Sequence, residues 1–91
     1  MTIMLSSSAT LALNAGSSSI RFALYQGDPL TRVCSGKIDR IGMEGSVFLF
    51  AEEGSAAEAP LSIDAPDHPT AVAVLFQALE ARFDLSQLVA V

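Results

Sequence analysis

Between Thr10 and Tyr25 apolar and polar positions alternate with a period of two. Leu11 and Leu13 stand against Ala12 and Asn14, then Ile20, Phe22 and Leu24 against Arg21, Ala23 and Tyr25. That period marks half-buried strands. The small polar run Asn14-Ala15-Gly16-Ser17-Ser18-Ser19 between them predicts the turn of a β-hairpin. Gly27-Asp28-Pro29 supplies the chemistry of a second turn, and a third strand is expected over Leu30 to Ile41. Its alternation sets Val33, Ser35, Lys37 and Asp39 against Arg32, Cys34, Gly36, Ile38 and Arg40, and Gly36 predicts a bulge or a close backbone neighbour. Gly42 and Gly45 bracket the next turn, Val47 to Ala51 reads as a short apolar strand, and Glu52-Glu53-Gly54-Ser55 ends it. Ala57 to Ile63 is expected to add one more strand, because Pro60 disfavours helix at the residue before it.

The period then changes to that of a helix. Val72, Leu75, Phe76, Leu79 and Phe83 recur on one side, while Gln77, Glu80 and Asp84 mark the wet side. Asp67 is placed to cap this helix and Pro69 suits its first turn. The stripe is expected to pack on a sheet. Leu88-Val89-Ala90-Val91 reads as the start of a buried strand. Strands, a helix and a further strand make the fold class mixed α/β.

At 91 residues the chain is one domain or less, and a chain of that size buries only about 60–65% of its unfolded surface. With 51% of residues apolar, part of the surface is expected to be an interface. Five Lys/Arg against ten Asp/Glu, with no basic stripe, argue against a nucleic-acid partner. The apolar runs are far shorter than the roughly 20 residues a membrane-spanning helix needs. The beginning lacks a positively charged region and an apolar core, so residues 1–9 are read as a disordered extension and not a targeting signal. The single Cys34 cannot form an internal disulfide, which fits a reducing cytoplasm, and reads as a small half-buried strand residue.

The candidate chemistry lies in the serine run. Gly16 allows backbone geometry that residues with a Cβ resist and lets a ligand approach the main chain. If the following strand begins early, Ser17, Ser19 and Arg21 share one face, a set of two hydroxyls and a guanidinium suited to a polyphosphate. Elsewhere the readings are plain. His68 is the only histidine and is expected to be a solvated residue at the helix start, with no cluster at zinc-ligand spacing. Glu52 and Glu53, adjacent on a strand, point to opposite faces and make no acid/base pair. Neither the P-loop nor the dinucleotide fingerprint is present.

The segment ALNAGSSSIRFALY closely resembles the amino-terminal signature of the acetate kinases, the acetate- and propionate-kinase group of the actin-like ATPase superfamily. The Asp67-His68-Pro69 helix start and the Leu88 to Val91 strand also fit the beginning of such an enzyme. The resemblance implies that residues 10–91 are part of an RNase H-like domain: a mostly antiparallel strand meander followed by a helix and a further, parallel strand. It implies an ATP- and Mg²⁺-dependent enzyme that interconverts acetate plus ATP with acetyl phosphate plus ADP, cytoplasmic and homodimeric at full length. In this chain it assigns Asn14 to Mg²⁺ and the phosphates, Gly16 to close approach of the loop, and Ser17 and Ser19 to phosphate donation, with Ser18 stabilising the turn. Arg21 matches a position usually held by Lys, linked to nucleotide phosphate, and its planar fork changes the contact it can make. The family's Gly-His-Arg motif, catalytic aspartate, two histidines and second arginine are expected downstream of Val91, so the segment alone is expected to be inactive. A non-catalytic α/β interaction module and a propionate- or butyrate-kinase relative are the alternatives. Butyrate kinases usually carry Thr in the serine run, so Ser17-Ser18-Ser19 favours the acetate group.

Overall fold

The computed structural model describes residues 2–6, 9–27 and 31–83. Its period-two segments pair in chain order into an antiparallel meander. The strands are β1 (Thr2–Ser6), β2 (Ala9–Ala15), β3 (Ile20–Gln26), β4 (Thr31–Asp39), β5 (Val47–Glu52) and β6 (Leu61–Ser62), followed by helix α1 (His68–Arg82). Register builds the core in rows. Leu11 lies opposite Leu24 and Leu24 opposite Cys34, while Leu13 faces Phe22, Phe22 faces Gly36 and Gly36 faces Phe50. All of these except Gly36 are buried apolar side chains of one cluster. Phe22, Phe48 and Phe50 stack with ring centroids 5.7 to 6.4 Å apart.

Gly36 makes that row possible. A Cβ there would lie 2.1 Å from the Leu49 carbonyl oxygen and 2.6 Å from Phe22 Cζ, so the Phe22 ring occupies the space a side chain would need. Gly36 is thus the close backbone neighbour; the bulge lies elsewhere. Pairing shifts from Leu24–Cys34 to Tyr25–Arg32, which leaves Val33 as the extra residue.

The helix covers this apolar face with Ala71, Leu75 and Leu79, all fully buried, and Val72, Phe76 and Phe83 flank them half-buried. All five residues of the expected stripe therefore face the core, and small Ala71 joins Leu75 and Leu79 on its deepest i, i+4 row. Asp67 caps the helix, accepting from the Thr70 N–H at 2.8 Å, and Pro69 sits in the first turn. At the other end Arg82 grips Glu58 through both terminal guanidinium nitrogens (2.5 and 2.7 Å) and lies 4.1 Å over the Phe50 ring. That clasp ties the segment after β5 to the helix.

Three expectations are corrected. Residues 2–6 are not a disordered extension: Thr2–Ser6 is strand β1, paired with β2. The exposed ladder groups of β2 give a β-prone Thr-Ile-Met segment backbone partners. The strand expected over Ala57 to Ile63 shrinks to Leu61–Ser62, because Glu58 N–H turns back to the Phe50 carbonyl (2.9 Å). Cys34 is not half-buried but fully buried, and burial pushes its thiol up to about 11. The strand expected at Leu88 to Val91 and the turn residues Asp28 and Pro29 lie outside the described residues.

Candidate functional site

The sequence-predicted site residues gather at the β2–β3 turn. Asn14 on β2 is directly opposite Arg21 on β3, and Arg21 is opposite Lys37 on β4, so all three share the sheet face away from the helix. Opposed residues have Cβ atoms about 4.5–5.5 Å apart. Like charges at that separation repel, and Lys37 offsets this by pairing with Asp39 at 3.3 Å. Asn14 and Arg21 are exposed, and neither has a hydrogen-bond or ion-pair partner among the described side chains. Arg21 and Lys37 line an open groove of about 530 Å³ along β3, β4 and β5, together with Ser35, Leu49 and Ala51.

The strand does not begin early. β3 starts at Ile20, so Ser17 and Ser19 belong to the turn and do not alternate with Arg21 along a strand. Ser17 is exposed, and Ser18 and Ser19 are half-buried. Gly16 departs from its expected reason too, since its backbone is not in the left-handed region. Its constraint is space: a Cβ there would stand 3.0 Å from Ser19 Oγ.

What distinguishes this turn is where its carbonyls go. The Gly16 carbonyl accepts from His68 Nε2 at 2.9 Å, the Ser18 carbonyl accepts from the Ile41 N–H at 2.9 Å, and the Ser19 carbonyl accepts from the Gly16 N–H at 2.8 Å. In a trans peptide the N–H points opposite the C=O of the same plane. Tying back the Gly16 and Ser18 carbonyls therefore presents the Ser17 and Ser19 amides on the other side. No acceptor among the described residues takes the amides or hydroxyls of Ser17, Ser18 and Ser19. A run of unpaired backbone and hydroxyl donors is the kind of surface that suits an anion.

His68 was the residue that sequence reasoning missed. It is half-buried and bridges the start of α1 to a turn 52 positions away, so it is not simply solvated. No local pattern signals that contact; a lone histidine beside a helix cap was its only mark. Among the described residues there is no group of His, Cys, Asp and Glu able to cage a metal ion. Asn14 offers one free amide oxygen, which suits a single ligand position on a cation otherwise held by water and phosphate.

Comparison with known proteins now identifies the setting. A model of the acetokinase family matches residues 9–91. The chain is 37% identical over 78 residues to an acetate kinase of Shouchella clausii, covering 86% of this chain and 19% of that protein. It is 42% identical over 72 residues to an acetate kinase of Streptococcus uberis, covering 79% and 18%. In three dimensions it is similar to the crystal structure of Porphyromonas gingivalis acetate kinase, with a TM-score of 0.72 and 23% identity over 89% of this chain and 19% of that one. The meander and helix are thus those of an actin-like ATPase fold, of the α/β class. The chain spans about a fifth of the length of the curated relatives it matches. On the span of the family match and the identity to these kinases together, the chain belongs to the acetokinase family.

Proposed function

We propose that the intact protein carrying this segment is an acetate kinase, which transfers the terminal phosphoryl group of ATP to acetate and runs in reverse from acetyl phosphate and ADP. This segment supplies its phosphate-binding edge. One observation carries the reading: in the serine turn the Gly16 and Ser18 carbonyls are tied back while the donors of Ser17, Ser18 and Ser19 stay unpaired. Phosphoryl transfer is catalysed mainly by positioning and by neutralising the charge spread over the transferring oxygens. Preset backbone and hydroxyl donors do this without reorganising during reaction.

Ser17 and Ser19 donate to the phosphate, Gly16 keeps the turn slim beside it, and Arg21 meets the nucleotide phosphates with a planar fork in place of the ammonium usual in the family. Asn14 is the residue here that would hold Mg²⁺, which when bound neutralises phosphate charge. The carboxylate pocket and the catalytic groups belong to the remainder of the protein, so this segment alone does not turn over. By its family resemblance the working enzyme is a cytoplasmic homodimer.

The test is to incubate the purified intact protein with ATP, Mg²⁺ and acetate, propionate or butyrate, and to trap the acyl phosphate as its hydroxamate. Acetate is expected to give the fastest trapping, and the isolated segment none. Nucleotide binding without acyl phosphate from any of the three acids would overturn the proposal.

A further inference from the structure

We propose that His68 is the positioning residue of the serine turn, a role that rests on the phosphate-binding reading above. Its Nε2 lies 2.9 Å from the Gly16 carbonyl oxygen. A carbonyl oxygen only accepts, so Nε2 carries the hydrogen and the bond fixes the ring in a state with Nε2–H. The Gly16 carbonyl and the Ser17 amide belong to one planar trans peptide, so holding the first aims the second. His68 therefore sets the direction of the Ser17 N–H without touching the ligand.

The platform that carries His68 is rigid. It is the first residue of α1, flanked by the capping Asp67 and by Pro69, whose ring fixes φ, and Ala71 one turn on is fully buried in the core. The second anchor of the turn, from the Ile41 N–H to the Ser18 carbonyl, is backbone to backbone and keeps no particular side chain. His68 is thus the one side chain among the described residues that anchors the turn's backbone, and it does so across 52 positions of sequence. The arrangement couples the start of the helix to the donors.

The experiment compares His68→Ala, His68→Phe and His68→Gln in the intact protein. Losing one anchoring hydrogen bond is worth roughly a fivefold to tenfold change in an equilibrium constant. With Ala and with Phe, which keeps a ring but no donor, KM for ATP is expected to rise about fivefold to tenfold while KM for the carboxylate stays put. Gln, which restores an N–H donor, recovers most of that loss. A second readout needs no catalysis: hydrogen exchange of the 14–22 segment without nucleotide speeds up in the Ala and Phe variants and not in Gln. Unchanged kinetics and exchange in Ala and Phe would overturn the inference. So would a parallel loss of melting temperature in all three variants with no rescue by Gln. If the unsubstituted protein phosphorylates no carboxylate, the proposed function fails, while the exchange comparison still decides the role of His68.

Discussion

The turn joining β4 to β5 and the serine turn joining β2 to β3 lie at the same end of the sheet, and the Ile41 N–H links them through the Ser18 carbonyl. Both contain glycine and serine, but the first also carries Arg40, Ile41, Met43 and Glu44. In the first, Ser46 is buried and its hydroxyl donates to the Arg40 carbonyl (2.9 Å), with Met43 O at 3.3 Å. Arg40 Nε reaches the Glu44 carbonyl (2.8 Å), its N–H donates to Asp39 Oδ1 (3.0 Å), and the Gly42 N–H donates to Ala65 O (2.9 Å). That closure holds Arg40 at φ 59, a conformation few residues with a side chain adopt. In the serine turn the Gly16, Ser18 and Ser19 carbonyls are taken while the donors of the three serines are not. Two neighbouring turns thus differ in kind: one is tied together by its own arginine and serine side chains, whereas the other has its Gly16 and Ser18 carbonyls tied back and its serine donors unpaired, an arrangement that suits an anion.

Substitution can break this contrast. Replacing Ser17 and Ser19 together with Ala in the intact protein should lower its kinase rate about a hundredfold, the cost of losing preset donors to a developing charge. Its melting temperature should barely move, since partly exposed side chains without partners contribute little to stability. Gly16→Ala should be milder, raising KM for ATP about tenfold, because the new methyl displaces Ser19 Oγ from its 3.0 Å neighbour position without touching the core. Ser46→Ala should do the reverse: a loss of about 1 kcal/mol in chemical denaturation, as the part-buried hydrogen bond of the Ser46 hydroxyl is lost, with kcat and KM unchanged.

Acid should separate the two turns most gently. Asp39 is held below the usual carboxylate range first by the Arg40 N–H and then by Lys37, and Asp67 by its hydrogen bonds from Thr70. A depressed carboxylate stabilises the fold fully above its unfolded pKa, about 3.9, and that contribution is lost as pH falls through the lower folded value. Melting curves should therefore drop below about pH 4, and by less when Asp39→Asn and Asp67→Asn are combined. The serine turn itself contains no carboxylate.

Much of this was legible in the sequence because it is local. Alternation around Asn14 to Ser19 announces the hairpin, Asp67 and Pro69 announce the helix start, and a glycine inside β4 announces a close neighbour. β1 was missed because its stability comes from the free edge of β2 and not from its own pattern. The helix stripe is legible in full, and only Ala71 escapes it, because the sheet beneath decides which i, i+4 row lies deepest. In the site, the residue types Asn14, Gly16, Ser17, Ser19 and Arg21 suggest a candidate phosphate-binding set, yet the feature that makes the turn a donor surface is not visible in them. It depends on His68 and Ile41, which reach the turn only after folding.

Hydrogen exchange of the intact protein, with and without a nonhydrolysable ATP analogue and Mg²⁺, tests the central claim most directly. The donors of the serine turn should become protected over residues 14–21 when the analogue binds, while residues 42–46 of the neighbouring turn, which lie outside the proposed phosphate edge, stay as they were. Binding of the analogue with no protection over 14–21 would contradict the account.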